Sequence, residues 1–216
     1  MYFRINEFLS LRLENNQTRI YIKEEPFKQC SYLLLNIPKD STDFIQKVDS
    51  IDEAEALLDK FSAKHVNSNY YLTPSMEFWG HCSNLQAWVE NNYDTRILHR
   101  NLAFPLLKAL VKLGDLNAKR VFKEEIMYRI MSGYPPVLKY LIENNYLDYF
   151  SIDELKMIGE SKEFILNLLG NQNAISELKT IFDTNDIFAL IIEEALLEIH
   201  YNEEYKELRS KIIDLF

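Results

Sequence analysis

Little in this chain interrupts regular structure: its 216 residues include only 5 glycines and 6 prolines, which excludes collagen-like and Pro/Gly-rich disordered classes. Cysteine is scarcer still. Cys30 and Cys82 lack CxxC spacing, so a zinc ribbon or dithiol redox motif is excluded and two reduced, buried thiols are expected. Long apolar runs are missing as well. Even the run through Phe188 to Ile192 falls far short of the roughly 20 residues that span a bilayer. Arg4, Glu7, Arg12 and Glu14 interrupt any secretory leader. A cytoplasmic protein without membrane contact is expected. Basic residues are outnumbered 24 to 33, for a net charge of -9. An acidic surface repels a polyanion, which argues against a general nucleic-acid binder. No complete catalytic or cofactor motif occurs, so no cofactor is expected.

What the chain does have is apolar periodicity. Leu9, Leu11 and Leu13 alternate with polar residues, Asn15-Asn16-Gln17 makes a turn, and Ile20 and Ile22 resume the alternation. Glu24-Glu25-Pro26 breaks the chain before a third run, Phe27 to Asn36. This predicts a three-stranded antiparallel meander within residues 1–40, packed on the helices that follow. From Ser41 the period becomes helical. Ser50-Ile51-Asp52-Glu53 reads as a capping box, with Leu57, Leu58 and Phe61 as its apolar face. Lys64 to Tyr71 reads as a loop, and Thr73-Pro74 opens the next helix. Asn91-Asn92, Gly114-Asp115, Gly133, Asn144-Asn145 and Gly170-Asn171 mark helix ends thereafter.

Pro105 to Val111 matches Pro136 to Ile142 at an offset of 31, with a fainter echo at Phe164 to Leu169. Such a period suits stacked helical hairpins. The expected fold is mainly α with a small N-terminal β-meander, an α+β chain of about nine consecutively packed helices. A HEAT-like α-solenoid or an irregular helical bundle would both satisfy the pattern. Residues 41–216 form the helical domain, in one compact unit with the strands. Ile191, Ile192, Leu196, Ile199, Leu208, Ile212 and Leu215 recur at helical spacing and give the apolar face of a helix or helix pair expected to cap the stack.

Residues 77–101 are dense in chemistry. Glu77, Trp79, His81, Cys82, Asn84, Gln86, Trp88, Asp94, Arg96, His99 and Arg100 fall there, including both tryptophans and two of the four histidines. Glu77, His81, Cys82 and His99 are zinc-ligand types, but their spacing matches no established motif, and no metal is expected. Cys82 activated by His99 or His81 and oriented by Asp94 would be a nucleophile. The plainer expectation is two core tryptophans and a polar network of Asn84, Gln86, Asp94, Arg96 and Arg100 fixing a helix joint.

From residue 96 to 129 eight basic residues face three acidic ones. Lys108, Lys112, Lys119, Arg120 and Lys123 would form an anion-binding strip if they shared a solvent face, since like charges at i,i+4 do nothing for the helix itself. A solvated face is the simpler explanation.

Glu7 to Leu13, Tyr32 to Pro38, Ser50 to Ala54, Glu77 to Gln86, Asn91 to Leu107 and Gly114 to Ile126 resemble the N-terminal module of an uncharacterised archaeal family often described as leucine-rich-repeat proteins. The resemblance covers about residues 1–150. The LxxLxLxxN pattern is missing after Phe150, where helical segments stand instead. The resemblance implies an interaction module and no activity. The expected function is therefore protein–protein interaction or scaffolding by stacked helices. RNA or anion binding by residues 96–129, or an enzyme or small-ligand pocket at residues 77–101, are the alternatives.

Overall fold

The computed structural model describes residues 1–28, 48–55, 72–170, 174–183 and 186–201, without side-chain detail at 174–176. Cys30, most of the run to Asn36, Leu57, Leu58, Phe61, the loop at 64–71, Asn171, and Leu208, Ile212 and Leu215 lie outside the described residues. The 40/41 boundary lies outside them too.

The alternation at the start forms a sheet of four strands: β1 (Tyr2–Arg4), β2 (Leu9–Glu14), β3 (Gln17–Ile22) and β4 (Glu25–Pro26), antiparallel and in sequential order. Glu14 pairs Gln17 and Ile22 pairs Glu25, so both later hairpins turn on two residues. Asn15 and Asn16 have φ of 50° and 62°, and Lys23 and Glu24 have 43° and 71°. These left-handed pairs follow the right-handed twist of the strands. The Lys23-Glu24 turn explains why Glu25-Pro26, read as a break, pairs with β3. Proline is tolerated on this short outer strand because it need not donate to the ladder. β1 carries no run long enough to read. It is placed by its pairing, Phe3 opposite Leu11, and by Asn6, whose Oδ1 accepts from the Phe8 and Leu9 amides at 2.8 and 2.7 Å.

Residues 51–55 are helical. Eight further α-helices follow among the described residues: α1 (Pro74–Glu90), α2 (Arg100–Lys112), α3 (Leu116–Met131), α4 (Pro135–Glu143), α5 (Ile152–Gly159), α6 (Lys162–Gly170), α7 (Ala174–Phe182) and α8 (Ile187–Tyr201), with a short 3-10 turn at Leu147–Tyr149. No strand follows Pro26 among those residues. None of the helices is long and apolar enough to cross a membrane.

The chain divides into two compact units, Met1–Phe122 and Lys123–Phe216, with the division inside α3. In the first, α1 packs on β2 and β3. Phe78, Cys82, Leu85 and Trp88 form its buried face, and Leu9, Leu11 and Ile20 are the buried residues of the sheet. In the second, α4 packs on α7 and α5 on α8, while α5, α6, α7 and α8 also pack in succession. Ile191, Ile192, Leu196 and Ile199 give α8 its buried face.

The sequence repeat is only partly a repeat of packing. Leu107 and Leu110 are buried, as are Leu138 and Leu141 at the matching positions of the second copy. Leu166, aligned with Leu138, is exposed in the third. Pro105 lies inside α2, whereas Pro136 stands at the start of α4. Gly133, at φ +60°, closes α3 where a Cβ would meet the Leu168 backbone and lie 2.6 Å from the Asn167 carbonyl carbon. Asn167 adds a side-chain amide bond to the Met131 carbonyl at 2.8 Å. An aligned hydrophobic pattern therefore does not carry the same burial or helix boundary in each copy.

Candidate functional site: residues 77–101 and the basic stretch

Helix α1 begins as its sequence predicts, with Thr73 Oγ1 accepting from the Met76 amide at 3.3 Å and Pro74 in the first turn. Its buried positions are 78, 82, 85 and 88, spaced by four, three and three. This places the two tryptophans differently. Trp88 is fully buried, but Trp79 is 51% exposed, so the expectation of two core tryptophans holds for one only. Phe78 takes the core position, and a helix turns its next residue by about 100°. Trp79 then sits against Phe78 at 5.2 Å and Phe3 of β1 at 5.8 Å, both edge-on.

Cys82 is 2% exposed, and burial pushes its thiol up to about 11. Such a thiol is protonated at neutral pH and has the character of a core residue, not of a nucleophile. His81 is half-buried, and burial lowers its pKa against the opposing pull of Glu77. Asn84 is exposed, and Gln86 Nε2 bonds Glu90 Oε1 at 2.7 Å.

The expected network of Asn84, Gln86, Asp94, Arg96 and Arg100 is replaced by separate pairs: Gln86 with Glu90, Arg96 with Asp94, and Arg100 with Asp52 at 3.6 Å. Asp94 accepts from the Arg96 guanidinium at 2.6 and 2.9 Å, which holds its carboxyl below the usual value. The joint between α1 and α3 is instead held by Tyr93 and by two residues, Asn92 and Asp115, read from the sequence only as helix ends. Asn92 and Tyr93 both take left-handed backbone, and the Tyr93 ring packs on Trp88 at 4.7 Å. Its hydroxyl donates to Asp115 Oδ2. The other oxygen of Asp115 accepts from the Ala118 amide at 2.9 Å, capping α3. Burial and the Asp115 hydrogen bond both raise the Tyr93 pKa.

His99 has different company again. It is 7% exposed and is the N-cap of α2, with Nδ1 accepting from the Asn101 amide at 3.2 Å. Nδ1 therefore carries no proton in the neutral ring, and Nε2 carries it. Nε2 lies 2.8 Å from Glu55 Oε2 and 3.1 Å from Asp52 Oδ1, placing its N–H between two carboxylates. Asp52 also accepts from the Arg100 amide at 3.3 Å. Asp52, Glu55 and His99 offer ligand atoms within 4.8 Å of one another, the group of three ligand types that converges among the described residues. Glu77, His81 and Cys82 are not part of it. The residue types suit a cation, but the proton placement does not. A metal-bound histidine donates its second nitrogen's proton to an acceptor, whereas His99 receives an N–H there.

In the basic stretch, Lys112, Lys119 and Arg120 are exposed and Lys108 is partly buried. Arg120 bonds Asn117 Oδ1 at 3.1 Å. Lys123 is committed to Glu154 at 2.6 Å, with its ammonium over the Phe150 ring at 5.0 Å. Lys112 also lines an open, apolar depression of about 410 Å³ together with Ile22, Lys23, Glu25, Pro26, Phe27, Lys28, Ala109 and Leu113. Comparison with protein-family models, curated proteins and solved structures returned no match to this chain.

Proposed function

We propose that this protein is a non-catalytic interaction module that docks a protein partner on the apolar surface where β1 meets the start of α1. The observation that carries the reading is the clustering of large apolar side chains there. Met1, Met76 and Trp79 are each more than half exposed, and the N-terminus and α1 are joined there by the Phe3–Trp79 contact and by Ser75 Oγ at 3.7 Å from Met1 Sδ. Single exposed apolar residues are ordinary, but a contiguous group is the mark of a binding surface. Tryptophan and methionine are also side chains that interfaces favour. Trp79 is held on two sides by Phe3 and Phe78, so little side-chain entropy remains to be lost on binding. Among the described residues β1 lies at the edge of the sheet, and an edge strand offers backbone groups to a partner.

The inert Cys82 and the committed His99 N–H speak against chemistry at residues 77–101. Affinity purification from the native host followed by mass spectrometry, with wild type beside Trp79→Asp, tests the reading. We expect a discrete set of proteins with the wild type and its loss with the variant, with circular dichroism showing that the variant remains folded at the assay temperature. Equal recovery by both overturns it.

A further inference from the structure

The depression bounded by the β3–β4 hairpin and the end of α2 lies apart from the Trp79 surface, and its chemistry is of another kind. Its floor is apolar: Ile22, Pro26, Phe27, Ala109 and Leu113. Its rim holds Lys23, Lys28 and Lys112 against one acid, Glu25. That balance is the reverse of a chain with 33 acidic and 24 basic residues. Lys23 is fixed by the left-handed turn at φ 43°, with its ammonium 5.2 Å from the Phe8 ring centroid. Among the described residues Lys28 and Lys112 have no carboxylate partner.

We infer that this depression binds a short acidic peptide segment of a partner protein, an apolar side chain of the segment entering the floor and flanking carboxylates meeting the three lysines. The volume is at the low end of the roughly 300–1,000 Å³ typical of ligand pockets, and the mouth is open. An open site suits a side chain projecting from a larger partner better than a small molecule that must be enclosed. Apolar contact supplies attraction at the floor, and the lysines supply orientation and speed of encounter. Charge of this density also rejects basic segments, so the site discriminates by repulsion as well as by fit. The basic stretch read from sequence contributes one residue to the site, Lys112. The other two lysines come from a hairpin turn and the strand end after it, more than 80 positions earlier in the chain.

The test is selection from a displayed library of random heptapeptides against the full chain, followed by affinity measurement on the synthetic peptides recovered. We expect peptides with acidic residues on both sides of a leucine or aromatic residue. Binding should weaken at least about tenfold in Lys23→Glu/Lys28→Glu/Lys112→Glu and in Ala109→Trp, which fills the floor. It should also fall with added salt, because exposed charge pairs are screened beyond about 8 Å at physiological ionic strength. Trp79→Asp should leave peptide binding intact, which separates this inference from the function proposed above. Circular dichroism melts of each variant establish that the fold persists. Should Ala109→Trp not fold, the surface lysine variant decides alone. No enrichment, peptides without acidic residues, or affinity indifferent to the lysine changes would overturn the inference. So would oligouridine RNA or oleate binding more tightly than the peptides, with the same dependence on the lysines.

Discussion

The tetrapeptide Ser-Ile-Asp-Glu occurs twice, at 50–53 in the first unit and at 151–154 in the second, and the two copies do the same local work but different tertiary work. In each, the serine hydroxyl accepts from the glutamate amide three residues on, at 3.2 Å for Ser50 and 3.3 Å for Ser151. In the second copy Glu154 returns to the Ser151 amide at 2.8 Å, completing the capping box. In the first, Glu53 reaches the Asp49 amide at 3.0 Å instead. The Ile51 amide is taken by the Arg96 carbonyl at 2.9 Å, and Asp52 faces His99. Ile152, by contrast, is exposed, and the only described long-range partner of its copy is Lys123, on Glu154. One capping signal is built into a joint, while the other closes a helix end beside a surface ion pair.

The sharpest way to break this comparison is to remove the partner in each copy. His99→Ala deletes the α2 cap, worth about 1 kcal/mol, and takes away the donor that Asp52 and Glu55 share. Leaving half-buried acceptors unsatisfied costs about 1–3 kcal/mol. Urea unfolding should show a total loss of roughly 2–4 kcal/mol. His99→Asn keeps a capping oxygen and should recover about 1 kcal/mol of that. Lys123→Met in the other copy should cost about 1 kcal/mol or less, the range of exposed pairs. Equal losses from the two would show the joint at His99 to be no more than a surface contact.

How much of this was legible in the sequence follows from the range of each interaction. Signals that act within a few residues were readable: the Leu9–Leu13 alternation, the Thr73-Pro74 start, and the turns at Asn92, Gly114 and Asn145. β1 was not, because three residues carry no period and Phe3 is placed by Leu11. At residues 77–101 the sequence named the right neighbourhood and the wrong company. His99 was singled out with His81 and Cys82, yet its partners are Asp52 and Glu55, more than 40 positions earlier, one of them sitting in a segment already explained as a cap. Trp79 was assigned to the core because tryptophan usually goes there. The register that puts Phe78 inward is set by Cys82, Leu85 and Trp88, and it could have been read from their spacing. Lys123 counted toward a basic strip until Glu154 claimed it.

A second test sharpens the comparison by asking whether the shared local step is worth the same in both copies. Ser50→Ala and Ser151→Ala each remove one side-chain acceptor from a helix start, and each should cost about 1 kcal/mol in chemical denaturation. The match should hold although the tertiary surroundings differ, since the bond broken is the same at nearly the same length. A Ser50→Ala loss exceeding that of Ser151→Ala by more than about 1 kcal/mol would mean that the cap and the His99 joint are one cooperative unit.

The smallest expected effect concerns pH and belongs to the second copy. Glu154 is held near about 2, below its ordinary 4.5, first by the Lys123 ammonium and then by the Ser151 amide. A carboxyl whose pKa is depressed by folding binds fewer protons in the folded state than in the unfolded state. Its contribution is therefore complete above about 4.5 and is lost as the pH falls from there toward about 2. The glutamate side chain is 45% exposed, so solvent and salt weaken the pair, and the loss across that window should be modest and smaller still at high ionic strength. Lys123→Met removes the larger cause of the depression and leaves the smaller. The unfolding midpoint of the variant should therefore change less across the window than that of the wild type, and the two curves should converge at its acid end. Parallel curves, displaced by a constant amount at every pH, would show that Lys123 acts by packing its chain on Phe150 and not by its charge.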